Sequence, residues 1–106
     1  MKSRIMYIER KAGSVTGTAR IGRVEFSKTL RTMYYNNQEF IKVKGGYKYN
    51  CIEIATGEEY WISGCKKNGQ DTLYGTGLVQ IDEDINEEYW MSLRNKPELI
   101  GKSQSN

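Results

Sequence analysis

The sequence of 106 residues contains no histidine, a single proline and only two cysteines. Histidine is the commonest general base and a frequent zinc ligand, so its absence excludes histidine-dependent catalytic arrangements and the usual zinc sites. The chain also lacks an apolar run of the roughly 18 to 20 residues that a transmembrane helix needs. Its N-terminus has no long apolar region followed by a small-residue cleavage site, as a signal peptide would. We therefore expect a cytoplasmic protein that does not enter a membrane.

Two cysteines, Cys51 and Cys65, are too few for a disulfide scaffold, and free thiols are expected in a cytoplasmic protein. Whether they can pair depends on the register of two neighbouring strands. A two-residue turn at Gly57-Glu58 sets Cys51 opposite Gly64 and puts the two cysteines on opposite faces. A loop one residue longer sets Cys51 directly opposite Cys65. The sequence leaves both registers open.

Charge is divided unevenly along the chain, although the net charge is only +3. Residues 1–48 contain eleven Lys or Arg and three acids, whereas residues 49–106 contain five basic and ten acidic residues. Such asymmetry indicates an acidic partner, either a nucleic acid or an acidic protein surface, and it permits self-association. The alternative is that the two halves neutralise each other on folding, because halves of a sequence are not halves of a surface.

Short alternating segments, separated by turn residues every eight to twelve positions, predict a mainly β protein. Turns are predicted at Asn36-Asn37, Gly45-Gly46 and Asn68-Gly69, whose residues tolerate a positive φ. The expected fold is a small SH3-like antiparallel barrel, or a meander of six or seven strands, with one C-terminal α-helix. The predicted strands cover residues 4–10, 20–26, 29–35, 39–44, 47–55 and 59–63, and two short apolar pieces follow at 72–74 and 78–81.

The period of the apolar residues changes near the C-terminus. Ile85, Tyr89 and Leu93 fall on one helical stripe, with Trp90 beside them. This pattern predicts a helix over about residues 84–95 that covers one end or face of the barrel.

Both ends of this helix carry signals in the sequence. Asp84, followed three residues later by Glu87, predicts the N-cap, and Pro97 ends the helix. Residues 1–100 then form a single domain, and the polar residues 101–106 are expected to form a frayed tail.

No set of residues has the spacing of a catalytic or metal site. The run Asp82-x-Asp84-x-Asn86 resembles the start of a calcium-binding loop, but the later positions that need glycine and glutamate hold Glu87 and Leu93. Cys65 precedes two lysines, which favour a thiolate, yet no histidine is present to act as its base. We therefore expect neither a metal nor a cofactor, and we favour a non-enzymatic protein. An enzyme, which would need a cleft around Cys65, Lys66 and Asp71, is the third alternative.

Binding of another macromolecule is the function that the composition favours. Eight tyrosines are present, and two groups of them lie among basic or amide residues. Tyrosine and arginine dominate the energetically important positions of protein interfaces, so a protein partner is favoured, in one specific form as an immunity-type protein that neutralises a toxin. The alternatives are a nucleic-acid-binding barrel whose tyrosines stack bases, and tyrosines that only complete a small core. The predicted partner-binding residues are Arg31, Tyr34, Tyr35, Lys42, Lys44, Tyr47, Lys48 and Tyr49.

Three stretches of the chain resemble a group of small uncharacterised bacterial proteins. They are EYWISGCKKNGQDTLYG at 59–75, IDEDINEEYW at 81–90 and ARIGRV at 19–24. The resemblance extends over about half of the chain. It implies a stand-alone bacterial cytoplasmic protein, and it brings no established activity or catalytic residue.

Overall fold

Seven strands and one C-terminal helix make up the computed structural model of the chain, which describes residues 2–11, 19–44, 49–67 and 79–105. The helix, here α1, consists of a 3-10 turn (Glu83–Ile85), an α-helical turn (Asn86–Glu88) and a π-helical stretch (Tyr89–Leu93), and a separate 3-10 turn follows at Pro97–Leu99. The strands are β1 (Lys2–Arg10), β2 (Ala19–Phe26), β3 (Thr32–Tyr35), β4 (Gln38–Lys42), β5 (Cys51–Glu53), β6 (Glu59–Gly64) and β7 (Val79–Ile81).

Strands β1 to β6 close into an antiparallel barrel. Each strand pairs with the next along the chain, and β6 pairs back with β1, so that Ile8 lies opposite Arg20 on β2 and opposite Ile62 on β6. Closure satisfies the backbone groups that an open sheet leaves at its edges. The predicted fold class, a small antiparallel barrel or meander with one C-terminal helix, is confirmed.

The seventh strand extends the sheet outside the barrel. β7 runs parallel to the first half of β2, with Val79 opposite Ala19 and Ile81 opposite Ile21. β3 pairs only with the last two residues of β2, Glu25 and Phe26, so the first half of the same edge is free to accept β7.

The barrel interior is a compact apolar cluster. It is filled by side chains that alternate inward along each strand, with Tyr35 packed against them. The rings of Phe40 and Tyr60 meet edge to face, with their centroids 4.7 Å apart. The buried residues of this barrel core are Met6, Ile8, Val24, Phe26, Met33, Phe40, Cys51, Tyr60 and Ile62.

A second core lies between the outer wall of the barrel and α1. The helix contributes Ile85, Tyr89 and Trp90, with Leu93 partly buried beside them, so the predicted apolar stripe is confirmed. The wall contributes buried side chains from three strands: Ile5, Tyr7, Ala19, Ile21, Val79 and Ile81.

Strand β1 therefore supplies both cores. Ile5 and Tyr7 face the helix, whereas Met6 and Ile8 fill the barrel. This explains the unbroken apolar run at residues 5–8, since a strand that is covered on both faces has no solvent-facing positions to alternate with.

The predicted N-cap of the helix is wrong. Asp84 lies inside the first 3-10 turn, and the residue in extended conformation before that turn is Asp82, with φ −64° and ψ 140°. The carboxylate of Asp82 does not cap the backbone, because it binds other side chains that are described below. At the other end, Asn95 takes a positive φ of 54°, and the amide of Lys96 donates to the carbonyl of Trp90, which closes the helix before Pro97.

The expected frayed tail is also corrected by the structure. Gln104 forms an antiparallel bridge with Gln80 of β7, and the amide of Ser105 donates to the carbonyl of Val79. Ser105 is buried, and its carbonyl accepts a hydrogen bond of 2.9 Å from the guanidinium of Arg94. The edge of β7 supplies the backbone partners that hold this polar segment in place.

Two turns differ in how well the sequence predicted them. The Asn36-Asn37 hairpin is confirmed, with φ of 52° and 62° as a type I′ turn requires. By contrast, the strand expected over 29–35 begins only at Thr32. Leu30 has a positive φ of 62°, and its amide donates to the carbonyl of Ser27, so residues 27–31 form a turn instead.

Neither predicted register for the cysteines occurs. Cys51 lies opposite Tyr60, because the backbones of Glu53 and Glu58 already pair across a turn at residues 54–57. Cys51 and Cys65 do not form a disulfide. The turns expected at 45–46 and 68–69 and the short apolar piece at 72–74 lie outside the described residues.

Candidate binding site

One end of the barrel, here called the basic end, carries a concentration of positive charge. It is formed by the start of β1, the β2–β3 turn, the segments on either side of residues 45–48, and the residues that follow β6. Within the described segments 2–4, 26–32, 42–44, 49–51 and 63–67 no carboxylate occurs. The exposed cations there are Lys2, Arg4, Lys28, Arg31, Lys42, Lys44, Lys66 and Lys67.

Much of the acidic charge of the described residues lies elsewhere. Glu53 and Glu58 lie at the opposite end of the barrel, and α1 carries Glu83, Asp84 and Glu87 among others. The two charged halves of the sequence neutralise each other only in part. Arg10, Arg20 and Arg23 of the first half pair with acids of the second half, whereas six other cations of the first half lie at the basic end.

The basic end opens into a cavity of about 770 Å³. Its inner surface is formed by side chains of the barrel core, Met6, Phe26, Met33 and Ile62. A volume in the range of about 300–1,000 Å³ with an apolar lining is typical of small-ligand sites. Two of these four side chains are methionines, whose flexible thioethers adapt to irregular shapes.

The rim of the cavity is charged. Lys2, Arg4 and Lys42 line it, and no acid does among the described residues. Strand alternation explains this placement, because Lys42 follows Phe40 and Arg4 precedes Met6 on the inward faces of their strands. The cations thus continue the inward rows of the barrel core at the point where the core meets solvent.

Two further side chains shape the mouth. Leu30 lines the cavity, is 43% exposed and is held in the left-handed region that favours glycine. The side-chain amide of Asn50 makes two 2.9 Å hydrogen bonds with the backbone of Ile62, one as donor and one as acceptor. Asn50 thereby holds the residue before β5 against β6 at the wall of the cavity.

The opposite end of the barrel is closed by polar contacts. The amide of Gln38 donates to Glu53 over 3.0 Å, and the hydroxyl of Thr56 donates to the other oxygen of that buried carboxylate over 2.8 Å. At the surface, Arg10 donates twice to Glu58. At this end the buried carboxylate of Glu53 and its two donors lie over the barrel core.

Asp82 binds two side chains at the closed end. One of its oxygens accepts a hydrogen bond of 2.5 Å from the hydroxyl of Tyr35, and the other accepts two from the guanidinium of Arg20. Burial and then the bond to Asp82 raise the pKa of Tyr35 to about 12. Gly22 packs against this pair so closely that a Cβ there would lie 2.3 Å from an oxygen of Asp82.

The predicted partner-binding residues do not form one surface. Arg31, Lys42 and Lys44 lie at the basic end. Tyr34 and Tyr35 precede the Asn36-Asn37 turn at the other end of β3, and the hydroxyl of Tyr35 is bound to Asp82. Tyr49 is half-buried, and Tyr47 and Lys48 lie outside the described residues.

Sequence reasoning missed Lys2, Arg4 and Leu30 at the mouth of the cavity. The two cations lie in the first half of β1, in the same alternating row as Met6 and Ile8, so the alternation of that strand was the available signal. The position of Leu30 could not be predicted from the sequence, because leucine, unlike glycine, gives no indication of a positive φ.

No cluster of three or more potential His, Cys, Asp or Glu metal ligands occurs among the described residues. Asp82, the first acid of the calcium-like run, is engaged by Arg20 and Tyr35. Within the described ranges, no helix has the length and apolarity to cross a membrane.

No protein-family model, curated protein or solved structure matches this chain. The function therefore has to be argued from the geometry and the charge of the barrel itself.

Proposed function

We propose that this protein is a non-enzymatic binding domain whose basic end docks an acidic surface of a partner protein. The observation that carries the proposal is the group of eight exposed cations, Lys2, Arg4, Lys28, Arg31, Lys42, Lys44, Lys66 and Lys67, in described segments without a carboxylate. Charges of one sign on one surface attract an oppositely charged partner and orient it during encounter.

The apolar opening at the centre of this charge supports a protein partner over a nucleic acid. Interfaces between proteins combine a desolvated apolar centre with a polar rim, and the exposed apolar side chain of Leu30 lies at this opening with Lys42 and Arg4. Binding of single-stranded nucleic acid relies on aromatic side chains beside the cations. Of the four tyrosines predicted for that role, Tyr34 and Tyr35 lie toward the far end of β3, and the half-buried Tyr49 is the one described at the basic end, whereas Tyr47 lies outside the described residues.

A pair of charge-reversal variants tests this function. Lys28→Glu/Lys44→Glu changes two exposed lysines of the basic end, and Lys96→Glu/Lys102→Glu changes two exposed lysines near the C-terminus as the matched control. Each variant and the wild type are immobilised and used to capture proteins from nuclease-treated lysate of the source cells. Captured proteins are identified by mass spectrometry, and the purified candidate is then titrated against all three proteins.

We expect one acidic protein to bind the wild type and the control, with affinity at least tenfold lower for the basic-end variant and falling with salt. Equal binding to both variants would show that the basic end is not the interface. Parallel titrations use single-stranded RNA and duplex DNA at low salt. Tight binding of either, lost only in the basic-end variant, would replace the protein partner with a nucleic acid.

A further inference from the structure

The cavity at the basic end has the chemistry of a small-molecule site, quite apart from the docking of a macromolecule. We propose that it binds a small amphipathic anion, an aliphatic chain that ends in a carboxylate. The chain lies against Met6, Phe26, Met33 and Ile62, and the carboxylate lies at the rim among Lys2, Arg4 and Lys42.

The apolar half of this ligand follows from the inner lining. All four inner side chains belong to the barrel core, and each is less than 8% exposed overall. No carboxylate lines the cavity among the described residues, and the side-chain amide of Asn50 is engaged by the backbone of Ile62. Ser3 also lines the cavity, but it is exposed and lies between Lys2 and Arg4, so a strongly polar ligand would lose its hydration without finding hydrogen-bond partners among the four inner side chains.

The anionic head of the ligand is inferred from the charged side chains at the rim of the cavity. Three cations and no described acid surround the opening, so an anionic head is stabilised there and a cationic head is repelled. Leu30 adds an exposed apolar side chain at the same mouth, where the upper part of an aliphatic chain would pass.

The dimensions limit the length of the chain. Lys2, Arg4 and Met6 follow one another along the inward face of β1, so the distance from the rim to the inner lining is about 7–13 Å at roughly 3.3 Å per residue. Within a cavity of about 770 Å³, this depth suits an extended chain of medium length such as octanoate or decanoate.

Isothermal titration of the full chain below the critical micelle concentration tests the proposal. Hexanoate, octanoate and decanoate are expected to bind at one site per chain, with affinity rising about fourfold for each added methylene. Decanol is expected to bind about tenfold more weakly than decanoate, and decyltrimethylammonium more weakly still. Absence of binding, equal affinity for decanoate and decanol, or several sites per chain would each overturn it.

Two variants and a control locate the site. Lys42→Met keeps the length of the side chain and is expected to weaken decanoate about tenfold while leaving decanol unchanged. Lys44→Met makes the same change at an exposed neighbour that does not line the cavity, and it should leave both unchanged. Met33→Trp fills the cavity and should abolish both, with circular dichroism confirming the fold. If decanoate still binds Met33→Trp, or if Lys44→Met weakens it as much as Lys42→Met does, the assignment to the cavity is wrong.

Discussion

The ammonium group of Lys11 lies 2.7 Å from a carboxylate oxygen of Glu9, and both side chains are almost wholly buried. The two residues share a face of the chain at the end of β1, where the hydroxyl of Tyr7 donates to the other oxygen of Glu9. Taking two charges out of water is unfavourable unless they stay paired, so removal of one partner is far more damaging than removal of both.

We therefore predict that Lys11→Met lowers the free energy of unfolding by about 3–5 kcal/mol. The double variant Lys11→Met/Glu9→Gln should recover most of that loss, because no uncompensated charge is left. Urea denaturation of the two variants measures the difference, with Lys2→Met on the exposed end of the same strand as the control. A loss below about 0.5 kcal/mol in Lys11→Met, the range of ordinary surface substitutions, would show that the pair contributes little.

This pair also shows where sequence reasoning reached its limit. The sequence predicted a strand around residues 5–8 and a helix, with the stripe of Ile85 and Tyr89, on one end or face of the barrel, and the structure places that helix against this strand. Charged residues such as Glu9 and Lys11 are expected at the surface, and their burial depends on contacts between segments distant in sequence. The register that sets Glu9 opposite Ala19 and Trp61 is likewise a property of the closed barrel.

The cavity was less predictable than the barrel. Arg31, Lys42 and Lys44 were identified from their charge, and they do lie at the basic end. Tyr35 was assigned to the same surface from its residue type, but its hydroxyl binds Asp82, which is far away in the sequence. The sequence around a tyrosine does not distinguish one that contacts a partner from one that binds another part of its own chain.

Tyr35 should remain protonated well above the pH at which an ordinary tyrosine ionises. Its pKa is raised to about 12 against a usual value near 10, so only the unfolded state loses this proton between those limits. The stabilisation is intact below pH 10 and is lost as the pH rises towards 12. Denaturant unfolding at a series of pH values should therefore show a shallower decline for Tyr35→Phe than for wild type. Tyr34→Phe serves as the control, and identical slopes for wild type and Tyr35→Phe would contradict the assignment.

Gly22→Ala should destabilise the protein through a direct clash. The new Cβ would lie 2.3 Å from an oxygen of Asp82 and 2.5 Å from a ring carbon of Tyr35, so their contact must shift. We expect a loss of about 1–3 kcal/mol, as is typical for added volume in a packed site. Gly64→Ala is the matched control, since its Cβ would meet nothing closer than 3.9 Å, and equal midpoints of thermal unfolding for the two variants would refute this account.

The two thiols should differ sharply in reactivity. Burial raises the pKa of the Cys51 thiol to about 12, so almost no thiolate is present at pH 8. Ellman's reagent at that pH is expected to titrate one thiol per native chain and two in guanidinium chloride. The variant Cys65→Ser should then show no fast reaction in the native state. Rapid reaction of this variant would mean that Cys51 is accessible.

Removal of residues 101–106 should destabilise the fold although the segment is polar. It supplies backbone hydrogen bonds to Ile81 and Val79 of β7, and the carbonyl of Lys102 accepts from the indole of Trp90. At about 0.5–1.5 kcal/mol for each bond, we expect a loss of about 2–4 kcal/mol in urea denaturation. Ser103→Ala, which keeps the backbone, should leave the free energy of unfolding unchanged. If the truncation has an equally small effect, the segment is a frayed tail after all.

The position of β1 between the two cores also constrains how the chain folds as it is synthesised. Met6 and Ile8 need β6, which pairs with β1 to close the barrel, and Ile5 and Tyr7 need β7 and α1, which are synthesised after all six barrel strands. β1 is thus completed only by segments that are synthesised well after it. Until then its apolar side chains have no native cover, so the barrel and the helical layer reach their final structure together, after translation of this region ends.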